Sequence, residues 1–116
     1  KEKYYFMDNG IRNALIAQFN GLSQRNDIGQ LWENFFFIER LKYREYNAIY
    51  ANHYFWRTYS QQEIDIIEER DGRLYGYECK WSPKKKVKIP KNWQSAYPES
   101  DFHVVTPENY QDFVLP

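Results

Sequence analysis

The stretch that most constrains the fold of this chain is EIDIIEERDGRLYGYECKW, from Glu63 to Trp81. Two alternating runs meet at Asp71-Gly72, a dipeptide that supplies the positive φ angles of a two-residue hairpin turn. With these two residues as the loop, Arg70 pairs with Arg73, and the register of the whole hairpin follows. The stretch therefore predicts two antiparallel β-strands joined by a tight turn.

Four charged residues lie at the open end of this predicted hairpin. The register sets Asp65 opposite Glu78 and Glu63 opposite Lys80, all on one face because strand side chains alternate with period two. Opposed residues lie about 4.5–5.5 Å apart at Cβ, so two carboxylates there repel each other. A divalent cation such as Mg²⁺ or Mn²⁺ relieves this repulsion, and Lys80 would add an ammonium beside it. The alternative is a solvent-facing strand pair in which Glu63 and Lys80 form an ordinary ion pair.

The acidic residues also resemble a known signature. Asp65, twelve intervening residues, and then Glu78-Cys79-Lys80 resemble the D…ExK motif of the PD-(D/E)xK nuclease superfamily. Longer segments resemble the C-terminal domain of unknown function that follows the ATPase module in many bacterial and archaeal AAA-type ATPases. These segments, within roughly residues 4 to 81, are YYFMDNGIRNAL, DIGQLWENFFFIERL, YFWRT and QQEIDIIEERDGRLYGYECKW.

This resemblance implies a fold, a reaction and a set of site residues. The implied fold is a restriction-endonuclease-like α/β core, with a mixed central sheet flanked by helices. The implied catalytic residues are Asp65, Glu78, Lys80 and Glu33, the last from the first core helix. Of these, Asp65, Glu78 and Glu33 would ligate the metal together with the backbone carbonyl of Cys79, in Mg²⁺-dependent hydrolysis of DNA. The alternative for Glu33 is a solvated surface glutamate.

Length and composition limit the domain organisation. The 116 residues predict one core, and the absence of an initial methionine indicates a piece of a longer protein. We expect residues 1–26 to be a lead-in strand and helix from a missing N-terminal ATPase part, which would hold any ATP. Residues 27–116 would form the nuclease-like domain. With no long apolar run, the chain is expected to be cytoplasmic and without a membrane partner. A single cysteine excludes an internal disulfide.

The elements around the hairpin follow from periodicity and end signals. Asp27 is the predicted N-cap of a helix that ends at about Tyr43, with Gln30 completing a capping box. One or two strands are expected over residues 48–58, a short helix from Pro90, and a last strand over residues 101–106. The main apolar stripe of the long helix is expected to be Ile28, Leu31, Phe35 and Ile38.

A concentrated basic run follows the hairpin and is a candidate DNA-binding segment. Its lysines would neutralise phosphates, with Trp81 or Trp93 as a stacking surface for an unpaired base. Arg57 is a further candidate phosphate ligand through its planar guanidinium. The alternatives are a solvated loop for the lysines and a surface or cross-strand arginine for Arg57. The lysines of the run are Lys84, Lys85, Lys86, Lys88 and Lys91.

Charge and aromatic content keep two other functions open. Sixteen basic residues balance sixteen acidic ones, so any attraction to nucleic acid must be local. Aromatic residues make up 20% of the chain, more than one small core normally takes, so some are expected at an interface or a groove. The chain could therefore be a non-catalytic interaction module that docks the ATPase module, a second copy or another protein. It could also bind DNA without cleaving it.

Overall fold

The computed structural model of the chain describes residues 14, 17–19, 21, 27–82 and 87–115. The predicted order of helix, three strands, helix and strand is confirmed, whereas most of the predicted lead-in over 1–26 lies outside the described residues. The elements are α1 (Ile28–Tyr46), β1 (Asn52–Arg57), β2 (Glu63–Arg70), β3 (Arg73–Cys79), α2 (Lys91–Ala96), β4 (Asp101–Val105) and α3 (Gln111–Val114).

The four strands form one mixed sheet in the order β1-β2-β3-β4. β2 pairs antiparallel with β1 and with β3, whereas β4 lies parallel to β3. α1 and α3 pack on one face of the sheet, and Trp93 of α2 packs on the other. The predicted α/β class, a mixed sheet flanked by helices, is confirmed. In the described part of the chain, no helix combines the length and apolar character that crossing a bilayer requires.

The hairpin has the predicted turn and register. β2 and β3 pair continuously from the Arg70–Arg73 pair to the Ile66–Tyr77 pair. The two turn residues have φ angles of 54° and 76°, as a primed turn requires. Beyond Ile66 and Tyr77, β2 pairs only with β1, and β3 pairs only with β4. The hairpin is therefore regular at its turn and open at its other end.

β2 contains one more residue than β1 over the paired stretch. Tyr54 pairs with Ile67 and Trp56 pairs with Ile64, so two steps along β1 correspond to three along β2, as in a β-bulge. Ile64 and Ile67 consequently pack together on the α2 face, while Ile66 packs on the α1 face. Uniform alternation predicted no such bulge.

The buried face of α1 differs from the predicted stripe. Ile38, expected in that stripe, is exposed. The helix extends to Tyr46, and Asp27 makes no side-chain capping hydrogen bond. Arg40 and Arg44 can occupy the buried face because Glu68 of the hairpin lies beside them. The buried residues of α1 are Trp32, Phe36, Glu39, Arg40 and Arg44.

A buried carboxylate joins α1 to the hairpin. Glu68 of β2 accepts hydrogen bonds from Nε and Nη2 of Arg40, at 3.0 and 3.2 Å, and from the Tyr77 hydroxyl at 3.3 Å. Arg70 and Arg44 lie 3.1 and 3.6 Å from the same carboxylate. Burial opposes ionisation of Glu68, but the hydrogen bond from Arg40 and the nearby guanidinium charges outweigh it and hold the pKa below its usual value. The carboxylate is therefore ionised and serves as the shared counter-ion of three arginines.

Replacing this carboxylate should be costly. We expect Glu68→Gln to lower the free energy of unfolding by about 3 kcal/mol or more, because it leaves buried guanidinium charges uncompensated. Urea unfolding followed by tryptophan fluorescence measures the change. The matched control is Glu63→Gln, which breaks the exposed Arg57–Glu63 ion pair of 3.0 Å and should cost about 1 kcal/mol or less. Equal losses in the two variants would contradict a stabilising role for the buried network.

Candidate functional site

The predicted acidic residues lie at the open end of the hairpin. Asp65 belongs to β2, Glu78 and Cys79 end β3, and Lys80 follows. The pairing of β2 with β3 stops one residue before Asp65 and Glu78, so the predicted cross-strand pairs Asp65–Glu78 and Glu63–Lys80 do not form. The prediction of opposed pairs was wrong because at this end β2 pairs with β1 and β3 pairs with β4. The two strands therefore separate at the acids, which leaves the sheet open there.

Glu33 of α1 lies at this opening. Its side chain is hydrogen-bonded to Asp65, and the Asp65 and Glu78 charges act on it. Burial first, and then these acidic neighbours, raise the pKa of Glu33 to about 7, although a hydrogen bond with Gln30 acts in the opposite direction. Two carboxyl groups can share a hydrogen bond only if one of them is protonated. The raised pKa lets Glu33 hold that proton near neutral pH.

The bulge in β2 explains how Asp65 can meet α1. In an uninterrupted strand Asp65 would share a face with Ile67, which packs on the α2 side of the sheet. The extra residue shifts the alternation between Ile64 and Ile67. Asp65 thereby turns toward Glu33 while both isoleucines remain in the core under α2.

Two contacts between α1 and β2 have matching spacings. Glu33 and Arg40 are separated by about 10.5 Å of helix. Their partners, Asp65 and Glu68, are separated by about 10 Å of strand. The Arg40–Glu68 pair and the Glu33–Asp65 contact therefore fit one alignment of helix and strand. The buried ion pair thus positions the helix that carries Glu33.

Glu78 and Lys80 form the other half of the site. Lys80 Nζ lies 3.5 Å from Glu78 Oε2, and both side chains are partly exposed. Burial raises the pKa of Glu78, and the Lys80 ammonium opposes this shift, while the Asp65 and Glu63 charges add to it. The net direction is upward. The open end therefore gathers three carboxyl groups in mutual repulsion and one ammonium.

A cavity of about 420 Å³ opens beside these groups, between the start of α1 and the end of β3. The Cys79 side chain packs against the aromatic core, and burial, reinforced by the nearby carboxylates, raises the pKa of its thiol. A protonated thiol is a poor ligand and a poor nucleophile. The residues that line the cavity are Ile28, Gly29, Gln30, Glu33, Cys79, Lys80, Trp81 and Ser82.

The carboxyl groups are not already arranged around a cation. Within residues 27–82 and 87–115 and the few described residues before them, no group of three or more His, Cys, Asp or Glu side chains could hold a metal ion. Glu33 is instead hydrogen-bonded to Asp65, and Glu78 forms an ion pair with Lys80. A cation ligated by all three carboxylates would require them to turn away from these partners.

The predicted DNA-binding residues are only partly described. Lys88 and Lys91 are exposed, and Lys91 is the first residue of α2. Arg57 donates a hydrogen bond to Glu63, its cross-strand neighbour, at 3.0 Å. Its binding to phosphate stays a prediction. The remaining lysines of the run, which lie outside the described residues, are Lys84, Lys85 and Lys86.

Of the two tryptophans predicted to stack on a base, Trp93 is 1% exposed. Trp81 packs edge-on against Phe19 and Trp32, but it is partly exposed and lines the cavity beside the acids, and its stacking on a base stays a prediction. The open rings include Phe55 of β1, which the sequence did not single out. The sequence Tyr54-Phe55-Trp56 of β1 did not indicate which of the three rings would be buried.

The Glu33 pKa makes stability depend on pH. Its folded-state pKa, about 7, lies above its ordinary value of 4.5, so the fold favours the protonated form. The corresponding stabilisation is present below about pH 4.5 and is lost as the pH rises through about 7. Between about pH 5 and pH 8, wild type should therefore lose on the order of 1 kcal/mol relative to Glu33→Gln, reduced from the full shift by solvent screening.

Urea unfolding of both proteins at the two pH values measures this difference. The control is Glu45→Gln, which changes an exposed glutamate near the other end of α1 and should follow wild type. If Glu33→Gln also followed wild type at both pH values, the raised pKa of Glu33 would be contradicted.

Comparisons with known proteins give the family of the chain. Uncharacterised proteins of Mycobacterium tuberculosis and Mycobacterium bovis are each 32% identical to it over 80 residues, which cover 67% of the chain and 17% of the relative. The chain thus spans about a sixth of the length of these curated relatives. No solved structure matches it. Residues 28–114, three quarters of the chain, match a domain of unknown function, and the chain therefore belongs to that family, DUF4143.

Proposed function

We propose that this chain is a nuclease-like domain of the PD-(D/E)xK type, carried by an AAA-type ATPase, that hydrolyses DNA with Mg²⁺ or Mn²⁺. The observation that carries the proposal is the gathering of Glu33, Asp65, Glu78 and Lys80 at the open end of the sheet. Burial and repulsion by neighbouring carboxylates raise the pKa of Glu33 and of Glu78. Keeping these two groups ionised therefore destabilises the folded state. Such perturbed groups beside a cavity are typical of functional sites.

The donor atoms, though not their present arrangement in the described residues, are of the type that the proposed cation prefers. Mg²⁺ and Mn²⁺ prefer hard oxygen ligands, and the three carboxyl groups offer only such atoms. The Glu33–Asp65 hydrogen bond already brings two of the donors into contact. A bound cation would neutralise part of the phosphate charge and lower the pKa of a bound water. Asp65, Glu78, Glu33 and the backbone carbonyl of Cys79 would hold it.

The remaining groups of the site suit phosphate chemistry. Lys80 lines the cavity beside the acids, so its ammonium can bind a phosphate oxygen and neutralise the charge that develops during hydrolysis. The resemblance of the chain to ATPase-linked domains supports the wider context, in which ATP would belong to the preceding module.

Two substitutions test the proposed reaction. Asp65→Asn should abolish the heat of Mn²⁺ binding in calorimetric titration, because it removes a charged ligand. Lys80→Ala should reduce cleavage of linear and branched DNA by roughly 100-fold or more, the usual effect of losing one group that stabilises transition-state charge.

The control for both substitutions is Glu45→Gln, which alters an exposed carboxylate near the other end of α1. It should leave metal binding and cleavage nearly unchanged. Thermal unfolding checks that each variant is folded. Full cleavage by both Asp65→Asn and Lys80→Ala would exclude the proposed site.

A second candidate function, a non-catalytic interaction module, is supported by apolar side chains near the end of α1. Ile38 and Tyr50 are 51% and 88% exposed, and with Leu41 and Ile49 they border a cavity of about 370 Å³. Exposed apolar patches of this kind usually mark protein contacts. The partner would be the ATPase module, a second copy of the chain or another protein.

Sedimentation velocity tests the version of this function in which a second copy is the partner. The wild-type chain should then sediment as an oligomer, and the double variant Ile38→Ser/Tyr50→Ser should sediment as a monomer because it removes the apolar contact. Tyr59→Ser, which changes an exposed ring outside this cavity, should behave as wild type. A monomeric wild-type chain would rule out self-association.

A further inference from the structure

β1 is an edge strand of the sheet. Among the residues that the structure describes, β2 lies on one side of β1 and no strand lies on the other. Such an edge presents a row of unpaired N–H and C=O groups, which proteins usually protect with a lysine, a proline, a bulge or a covering segment. The sequence of β1, NHYFWR, contains neither lysine nor proline, and the extra residue of the bulge belongs to β2. β1 is therefore an unprotected edge in this part of the chain.

The opposite edge of the sheet, β4, is better protected. The Val105 carbonyl accepts a hydrogen bond from the Lys80 N–H, so Val105 faces β3. The neighbouring carbonyl of Val104 points outward because backbone groups alternate along a strand, and the Asn109 side-chain amide donates to it at 2.8 Å. The side chains of β4 are buried or half-buried, whereas most of those of β1 are exposed. Of the two edges, β1 is the one suited to pairing with another strand.

Hydrogen bonds to β2 determine which residues of β1 face outward. The Thr58 N–H donates to the Gln62 carbonyl at 2.9 Å, so the Thr58 backbone faces β2. Because the backbone groups of successive residues point to opposite sides of a strand, those of Arg57, Phe55 and His53 point away from β2. The outer edge therefore offers the N–H and C=O groups of three residues that are centred on Phe55.

These outward groups match a second copy of β1 that runs antiparallel to the first. In a two-fold pairing centred on Phe55, each Phe55 lies opposite its own copy and each His53 lies opposite Arg57 of the other copy. Every outward residue then meets another outward residue, as hydrogen-bonded antiparallel pairs require. A shift of one residue would oppose outward residues to inward ones. The register that pairs the whole strand is thus self-complementary, as contacts about a two-fold axis must be.

The side chains of β1 place exposed rings on both faces of the sheet. Phe55 and Tyr54 are 70% and 52% exposed. His53 packs against α1 and Trp56 against α2, so alternation assigns Phe55 to the α1 face and Tyr54 to the α2 face. A partner on one face would cover one ring, whereas an added strand covers both. In the two-fold register Phe55 meets Phe55 and Tyr54 meets Trp56, and aromatic cross-strand pairs of this kind stabilise sheets.

The charges of β1 suit a second copy. Arg57 is the charged residue of the strand, and Glu63 neutralises it at 3.0 Å. His53, which would lie opposite Arg57, has its pKa lowered by burial and by the Arg44 guanidinium, so it is neutral near pH 7. The register therefore opposes no like charges. A strand of unrelated sequence would match the backbone groups but not this arrangement of rings and charges.

We propose that two copies of the chain dimerise by antiparallel pairing of β1 with β1 about a two-fold axis at Phe55. The pairing joins two four-stranded sheets into one continuous sheet. The inference rests on the second candidate function, protein interaction, and it names the partner and the contact. Directly opposed residues project to the same face of a sheet, so both α1 helices, and with them both acidic sites, lie on one side of the dimer.

Sedimentation velocity over a range of concentrations of the whole chain measures the dissociation constant of the dimer. Phe55→Lys should weaken the dimer at least about ten-fold, because it removes the aromatic pair and opposes two ammonium groups. Phe55→Pro should also weaken it, because it removes an outward N–H and leaves the hydrogen bonds to β2 in place. Phe55→Leu keeps the N–H and an apolar side chain and should remain a dimer. Ile89→Lys, which charges an exposed apolar residue outside β1, should behave as wild type.

Cysteine substitutions test the register. Phe55→Cys places two thiols at the axis, where Cβ atoms of opposed residues lie about 4.5–5.5 Å apart, so mild oxidation should yield a disulfide-linked dimer on a non-reducing gel. Arg57→Cys is the control, because its copies are offset by about 13 Å along the strands and should not link. The native Cys79 thiol is kept protonated by its raised pKa and should stay unreactive. Linking of Arg57→Cys but not of Phe55→Cys would overturn the inference.

Thermal unfolding verifies that each variant is folded. A monomeric wild-type chain would overturn the inference and leave the edge to a strand of another protein. A folded Phe55→Lys that dimerises as tightly as wild type would overturn it too. If Ile38→Ser/Tyr50→Ser were monomeric in that second case, the interaction function would stand, with the cavity at the end of α1 as its contact instead of β1.

Discussion

The buried contact between Glu68 and the arginines of α1 is the constraint on which the site depends. A buried ion pair adds little stability compared with well-packed apolar residues, but it tolerates few alternative alignments because an unmatched charge is costly. Sliding α1 by one turn would move every side chain by about 5.4 Å along the helix and separate Arg40 from Glu68. The same slide would withdraw Glu33 from Asp65. The alignment that neutralises the core charge is therefore also the one that assembles the acidic residues.

The sheet combines regularity at one end with irregularity at the other. Near the Asp71-Gly72 turn, β2 and β3 form an uninterrupted ladder. At the opposite end, the bulge and the parting of the strands leave backbone and side chains free to face a ligand. The covered faces still need apolar residues, and Ile64, Ile66 and Ile67 meet that need on both sides of β2. β2 thus contributes apolar side chains to the hydrophobic clusters on both faces of the sheet, and it also carries Asp65 between them in sequence.

The hairpin could be predicted because its information is local. A turn dipeptide and a period of two determine register without knowledge of any partner, and the resemblance to PD-(D/E)xK nucleases directed attention to Glu33. The bulge could not be predicted, because it arises from pairing with β1. The buried face of α1 was also hidden, since Arg40 is buried by partners distant in sequence while the apolar Ile38 faces solvent. Hydrophobic periodicity is a property of one segment, whereas the burial of a charged side chain depends on the other segments that pack against it.

The contacts that hold α1 also determine when the acidic group can form during folding. The Trp32 indole bonds to Val105 and the Arg40 guanidinium to the Phe113 carbonyl, each across 73 positions of sequence. Contacts between residues this far apart in sequence form slowly, because closing a long loop costs conformational entropy before the contact adds any stability. A chain emerging during synthesis can complete its hairpin early, but α1 gains these two anchors only after the last strand and helix have been made. Assembly of the acidic site is therefore coupled to completion of the domain.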